Sequence, residues 1–161
     1  MSQTDRQRQT AAALGRIPSG LFVMTIRHGE AETGMLASWV QQCSFEPLQL
    51  SLAVKRGRAV LAWLGQGTTF TLNILDTAQT DMIGHFGRGF SLGEPAFTGL
   101  EIDRPDGVAP VLGESLAYLV CRVAGRFEAG DHDLLIADVV HGQVFGEGEP
   151  MVHIRKSALH Y

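Results

Sequence analysis

Leu48, Leu50, Leu52 and Val54 alternate with Gln49, Ser51 and Ala53, the period-two pattern of a strand with one face in a core. Phe70, Leu72 and Ile74 repeat the pattern against Thr69, Thr71 and Asn73. Between these strands, Arg58 to Leu64 takes a helical habit that Gly65 closes. Upstream, Leu21 to Ile26 and Met35 to Phe45 are extended segments separated by the turn formers His28, Gly29 and Glu30, which predicts a hairpin. Downstream, Ser115 to Phe127 and Leu134 to Phe145 predict a longer hairpin. Its turn is Gly130, Asp131, His132 and Asp133, with His132 exposed.

Helical signals are short. Thr4 or Asp5 can cap a helix carrying Ala11, Leu14 and Ile17 at helical spacing, which Pro18, Ser19 and Gly20 then stop. Asp76 with Gln79 resembles a capping box ahead of the stripe Met82, Ile83 and Phe86. Gly87 to Pro95 carries three glycines and a proline and predicts a loop.

Leu116 to Cys121 is apolar at successive positions, so both faces of that strand need cover, which one open sheet cannot supply. Six or so strands with only short helices between them predict a mainly β fold, a closed or nearly closed antiparallel barrel. At 161 residues with no repeat or linker, the expectation is one domain over 1–161, with residues 1–13 as a helical lead-in.

Thirteen Lys and Arg against seventeen Asp and Glu give a net charge of −4, which argues against a nucleic-acid partner. No window approaches the ~20 apolar residues of a membrane helix. The polar stretch Met1 to Thr10 lacks a signal-peptide core, so a cytoplasmic location is expected. Cys43 and Cys121 each lie in an apolar run, which predicts two reduced, buried thiols. The six histidines show no i, i+4 pair and no cysteine at ligand spacing, so no metal is expected. A GxSxG elbow is absent.

Two constellations carry candidate chemistry. Val54, Lys55, Arg56, Gly57 and Arg58 place three cations and a glycine where a strand meets a helix start. That pattern suits a phosphate, and it equally describes a solvated basic turn. Gly34, Met35, Leu36, Ala37, Ser38, Trp39 and Val40 combine small and apolar residues. They could let backbone approach a flat ligand such as a flavin ring, or could form an ordinary core strand.

Taken together, LGRIPSGLFVMT (14–25), GMLASWVQQCSFEP (34–47), LSLAVKRGRA (50–59), FTLNIL (70–75), HFGRGF (85–90), GDHDLLIADV (130–139) and the closing HIRKSALHY resemble the flavin reductase-like family. Its members are FMN-binding proteins of the split β-barrel type. The sequence is especially similar to the flavin reductase-like domain of cyanobacterial flavodiiron proteins.

The resemblance implies an antiparallel, Greek-key-like split barrel that forms a homodimer. It also implies noncovalent FMN, with NADH or NADPH as hydride donor. The family's flavin-contacting strand and turn fall on Leu36, Ala37, Ser38 and Trp39, and its phosphate-side segment on Ala53, Val54, Lys55 and Arg58. Phe86 and Arg88 would border the flavin ring or its phosphate tail. The family's GDH motif falls on Gly130, Asp131 and His132, with His132 orienting the nicotinamide nucleotide. The implied activity is an NAD(P)H-dependent flavin reductase that passes electrons to a separate acceptor. The alternative is a non-enzymatic FMN-binding electron-relay module. A split barrel that binds haem or scaffolds a complex is a further rival.

Overall fold

The computed structural model describes residues 2–158. Helix α1 spans Gln3–Gly15. Its cap is Ser2, not Thr4 or Asp5: the Ser2 hydroxyl accepts from the Asp5 amide at 3.1 Å, and the Asp5 carboxylate accepts from the Ser2 amide at 3.1 Å. This reciprocal box moves the helix start upstream of the expected caps. Ala11 and Gly15 form the buried side, and their carbonyls accept from the Ala158 and Arg155 amides. Leu14 and Ile17 stay exposed, so the predicted stripe is not a core face.

Seven strands make one antiparallel sheet: β1 (Phe22–His28), β2 (Ala31–Ala37), β3 (Val40–Phe45), β4 (Leu48–Lys55), β5 (Thr69–Ile74), β6 (Ala117–Ala129) and β7 (His132–Val144). Their order is β2-β1-β5-β6-β7-β4-β3. The edge strands β2 and β3 are consecutive in the chain, so the two-residue link Ser38–Trp39 must carry the chain from one edge of the sheet to the other. A sheet whose edges are joined by so short a link has to curl into a barrel. The Ala53 amide donates to the Trp39 carbonyl at 3.0 Å and ties the link to β4. The result is a split β-barrel with its seam at Ser38–Trp39.

The predicted extended segment Met35 to Phe45 is therefore two strands on opposite edges. Its hairpin partner to β1 is β2 alone, closed by Gly29 at φ +60. The long hairpin β6–β7 turns at Gly130, φ +64, and irregularities at Ile136/Ala137 and Val139/His141 bend it around the barrel.

Inside the barrel, Met24, Ile26, Leu52, Val54, Phe70, Leu72, Val123 and Leu135 form the main core. Each fully buried aliphatic or aromatic side chain there contributes about 1.5–3 kcal/mol. Outside it, Leu21, Val23, Leu75, Met82 and Phe86 pack a second cluster beneath α2 (Asp81–Gly87). Tyr118 and Val120 meet Val111 in a third, so both faces of the start of β6 are covered, as its continuous apolar run requires.

The alternation in β5 describes its polar face incompletely, because Thr71 and Asn73 are also fully buried. They bond backbone groups of the 109–112 segment and of β1. Thr71 donates to the Ala109 carbonyl, and Asn73 donates to the Val23 carbonyl and accepts from the Leu112 amide at 2.9 Å. Cys121 is buried, and burial pushes its thiol up to about 12. Cys43, expected to be buried, is exposed. It sits on the edge strand β3 where the pairing with β4 shifts between Gln42 and Ser44, and that irregularity leaves it outside the core.

Candidate functional site

A cavity of about 280 Å³ opens beside the barrel seam. Its wall is Met35 to Trp39 from β2 and the link, Ala53 and Lys55 from β4, Arg58, and Ile83 and Gly87 from α2. The curl of the sheet makes this wall: the end of one edge strand, its connecting link and the second strand in from the other edge meet across the seam. Small side chains at Ala37, Ala53 and Gly87 leave room, while Met35, Leu36, Trp39 and Ile83 supply apolar surface.

A second cavity, of about 320 Å³, adjoins the first and shares Met35 and Arg58 with it. The turn at Gly57 to Val60 and the glycine-rich loop at Arg88 to Ser91 complete its wall. Gly89 takes φ +77, a conformation that strains any residue with a side chain, and it lies against the Arg58 guanidinium, 2.6 Å from where a Cβ would stand. Among the described residues, Arg58 has neither a hydrogen bond nor an ion pair through its side chain.

The predicted helix start at this turn is a 3₁₀ segment of four residues, Ala59–Ala62. It is too short to offer a helix terminus as an anion seat, so any such seat rests on the side chains. Of the three cations, Lys55 and Arg58 line the first cavity and Arg56 turns away. The Arg56 Nε donates to Asp133 at 3.0 Å, and its Nη2 faces Glu128 at 3.3 Å.

The structure thus brings Leu36, Ala37, Ser38, Trp39, Ala53, Lys55 and Arg58 together around one cavity. Val54 belongs to the same strand, but its side chain is fully buried in the barrel core. Phe86 is also buried. It packs under Gly34, where a Cβ would meet its ring at 2.9 Å, so it shapes the floor behind β2. Arg88 borders the second cavity and donates to the Glu94 carboxylate, which also accepts from the Ser91 amide at 2.8 Å. These two bonds hold the Glu94 carboxyl below the usual carboxylate range, with the Ser91 amide the larger cause.

His132 is not exposed in a turn. It opens β7, is 6% exposed, and pairs in register with Lys55. Its ring lies 4.7 Å from the Trp39 ring, and its Nδ1 is 2.7 Å from the Asp131 carboxylate. The His132 contact, with a smaller contribution from Lys55, holds the Asp131 carboxyl below its ordinary range. Met35, part of the Gly34–Val40 constellation, also lines the wall, whereas sequence patterning missed Ile83 and Gly87. It also missed Arg155, whose guanidinium stacks 4.8 Å from the Trp39 ring. No local signal marks Arg155, because only folding brings the C-terminal segment to the seam.

Among the described residues, no three His, Cys, Asp or Glu side chains gather closely enough to hold a metal ion. His160 lies outside the described residues, as do the last three residues of HIRKSALHY. No helix among those described is long and apolar enough to cross a membrane.

Comparison with known proteins gives concordant results. The family model described as "Flavin reductase like domain" matches residues 14–160. Diflavin flavoprotein A 1 of Synechocystis sp. is 38% identical over 151 residues, covering 92% of this chain and 26% of that protein. The chain therefore spans about a quarter of the length of the curated relatives it matches. Among solved structures, the NADH:FAD oxidoreductase SgcE6 of Streptomyces globisporus superposes with a TM-score of 0.83 at 22% identity, covering 96% of this chain and 91% of that one. The same enzyme in complex with NAD and FAD fragments gives a TM-score of 0.79 at 22% identity over 95% and 90%. At that identity the likeness speaks for the fold.

Proposed function

The chain belongs to the flavin reductase-like domain family, and from that premise we propose that it is an NAD(P)H-dependent flavin reductase that holds FMN in the seam cavity. The observation that carries this reading is the meeting of Leu36, Ala37, Ser38, Trp39, Ala53, Lys55 and Arg58 around one space. The fit is chemical as well as spatial: apolar and small residues suit a flat ring, and a guanidinium without a carboxylate partner among the described residues suits an anionic tail.

When bound, the flavin supplies the hydride-accepting chemistry, with NADH or NADPH as donor. The protein's task is then binding and orientation. Trp39, with Leu36, Ala37, Ser38 and Ala53, walls the ring site, and Val54 backs that strand from the barrel core. Lys55 and Arg58 hold the phosphate, with Arg88 at the far side of the adjoining cavity. Phe86 supports the floor from beneath. His132 orients the nicotinamide nucleotide, its own ring held by the Asp131 carboxylate and by Trp39. An imidazole so engaged suits positioning better than proton abstraction.

Three further parts complete the reading. A homodimer is supported by a cavity of about 480 Å³ lined by Phe22, Val40, Leu48, Leu50 and Val139, beside the exposed Phe45. Electrons pass to a separate acceptor protein, and the location is cytoplasmic. A second reading, an FMN-binding electron-relay module with no productive nicotinamide site, draws on the chain's similarity to one quarter of larger diflavin flavoproteins.

The test of the flavin seat is binding of FMN and riboflavin to the wild type and to the double variant Lys55→Ala/Arg58→Ala. The wild type should prefer FMN, and the variant should bind both alike. An FMN preference that survives in the variant would contradict the assignment of the phosphate.

A further inference from the structure

The turn that follows Lys55 and carries Arg58 is pinned at both ends by one carboxylate that touches neither cavity. Asp133 is the second residue of β7 and lies opposite Val54 of β4 and Glu128 of β6. Its side chain is 9% exposed. One oxygen accepts from Arg56 Nε at 3.0 Å, and the other accepts from Arg126 Nε at 2.8 Å and from Arg126 Nη2. Arg126 Nη1 then donates to the Leu61 carbonyl at 3.0 Å, at the 3₁₀ segment. The Arg56 amide donates to the Asp131 carbonyl at 3.0 Å.

Arg56 is therefore anchored at the start of the turn and Leu61 near its end, both through Asp133. Between the anchors lie Gly57, at φ +87, and Arg58. Glycine at positive φ gives the turn freedom that the two anchors remove. A nearly buried carboxylate between two guanidiniums is costly unless every bond is made, and a hydrophobic cluster would hold the hairpin end as well. A charged clamp instead gives directional control over the segment it grips.

We propose that Asp133, acting through Arg56 and Arg126, is a positioning residue that sets the placement of Lys55 and Arg58 and so the affinity of the seam cavity for a phosphate-bearing flavin. This inference rests on the reading of that cavity as the flavin seat. It deepens that reading by assigning its specificity for phosphorylated flavin to a residue outside its wall. Polar groups that orient binding groups without touching the ligand commonly govern affinity this way.

The experiment measures dissociation constants of FMN and of riboflavin, which shares the ring and lacks the phosphate, for the 161-residue wild type, Asp133→Asn and Arg56→Gln. Thermal melts are recorded alongside. Asp133→Asn should weaken FMN about tenfold and leave riboflavin within about twofold, because misplaced cations are felt only by the phosphate. Arg56→Gln, which removes one half-exposed arm, should shift the ratio in the same direction by less, and it carries the comparison alone if Asp133→Asn fails to fold. Equal weakening of both ligands would show a merely structural role and overturn the proposal. An unchanged FMN preference in both variants would overturn it too. A wild type that binds FMN and riboflavin alike would instead refute the phosphate seat itself, and the clamp's role would fall with it.

Discussion

The indole of Trp39 and the imidazole of His132 lie 4.7 Å apart at the barrel seam, inclined at 38°, although one belongs to the β2–β3 link and the other opens β7. This tilted ring pair joins the wall of the proposed flavin seat to the residue proposed to orient the nicotinamide. His132→Ala should raise KM for NADH or NADPH severalfold while leaving the dissociation constant for FMN within about twofold, a loss of positioning without loss of the flavin seat. Steady-state kinetics against nicotinamide concentration, with a parallel FMN titration, check this. Unchanged nicotinamide kinetics would remove His132 from the site.

Gly34 has no room for a side chain. An added Cβ would lie 2.9 Å from the Phe86 ring and 3.3 Å from the Met24 carbonyl, and Phe86 is itself 1% exposed. Gly34→Ala should cost about 1–3 kcal/mol of stability through overpacking. Denaturant unfolding of the apoprotein reads that cost directly, and a neutral result would mean that α2 yields more easily than its packing implies.

Asn73 bonds three groups outside its own strand, donating to the Val23 carbonyl and, at 3.4 Å, to the Pro110 carbonyl and accepting from the Leu112 amide, in a fully buried position. Asn73→Ala should lose about 1–3 kcal/mol for each buried group left unpaired. Thermal melts of the variant beside Thr71→Val, which removes a single hydroxyl donor, should rank Asn73→Ala as the more damaging.

The two thiols should separate by reactivity. Cys43 is exposed, whereas Cys121 is buried and its thiol is pushed up to about 12, so the nucleophilic thiolate hardly forms at neutral pH. Titration of the native protein with a disulfide reagent should detect one fast thiol per chain, and two after denaturation. Loss of the fast thiol in Cys43→Ser would complete the assignment.

The Arg126 and Arg56 guanidiniums hold the Asp133 carboxyl below its ordinary range. On acidification the unfolded chain takes up this proton first, so the contribution is whole above the usual carboxylate pKa of about 3.9 and fades as the pH falls through the lower folded value. The melting-temperature gap between wild type and Asp133→Asn should therefore be wide at neutral pH and narrow below about pH 3.9. A gap that does not change with pH would place the effect elsewhere.

Much of the fold was legible because strands with one buried face write it in alternation. Leu50, Leu52 and Val54 are all core, and the apolar run at the start of β6 has cover on both faces. What alternation cannot express is which edge of a sheet a strand joins. Met35 to Phe45 reads as one extended run, yet Ser38–Trp39 carries it across the seam. Cys43 is exposed for a related reason: edge position and a pairing shift are properties of the sheet and leave no mark on the segment itself.

In the site, seven expected residues share one wall because two short motifs, 34–47 and 50–59, converge there. Arg56 shows the limit of reading charge from a run of cations. Its neighbours face the cavity, while it is drawn off by Asp133 and Glu128 from the distant hairpin. His132 looked like a turn residue because GDHD is turn-rich, but Gly130 alone supplies the positive φ the reversal needs, so the strand begins at His132.

The claim on which the rest depends is that this chain accepts flavin at the seam and brings nicotinamide to it. The direct measurement is anaerobic mixing of the purified 161-residue protein and FMN with NADH, and separately with NADPH, following the visible absorbance of oxidised flavin. The reading predicts bleaching with at least one nicotinamide, far faster than in protein-free FMN and stoichiometric with nicotinamide oxidation. A folded protein that binds FMN yet leaves its absorbance unchanged with both donors would contradict the reductase and favour the relay module.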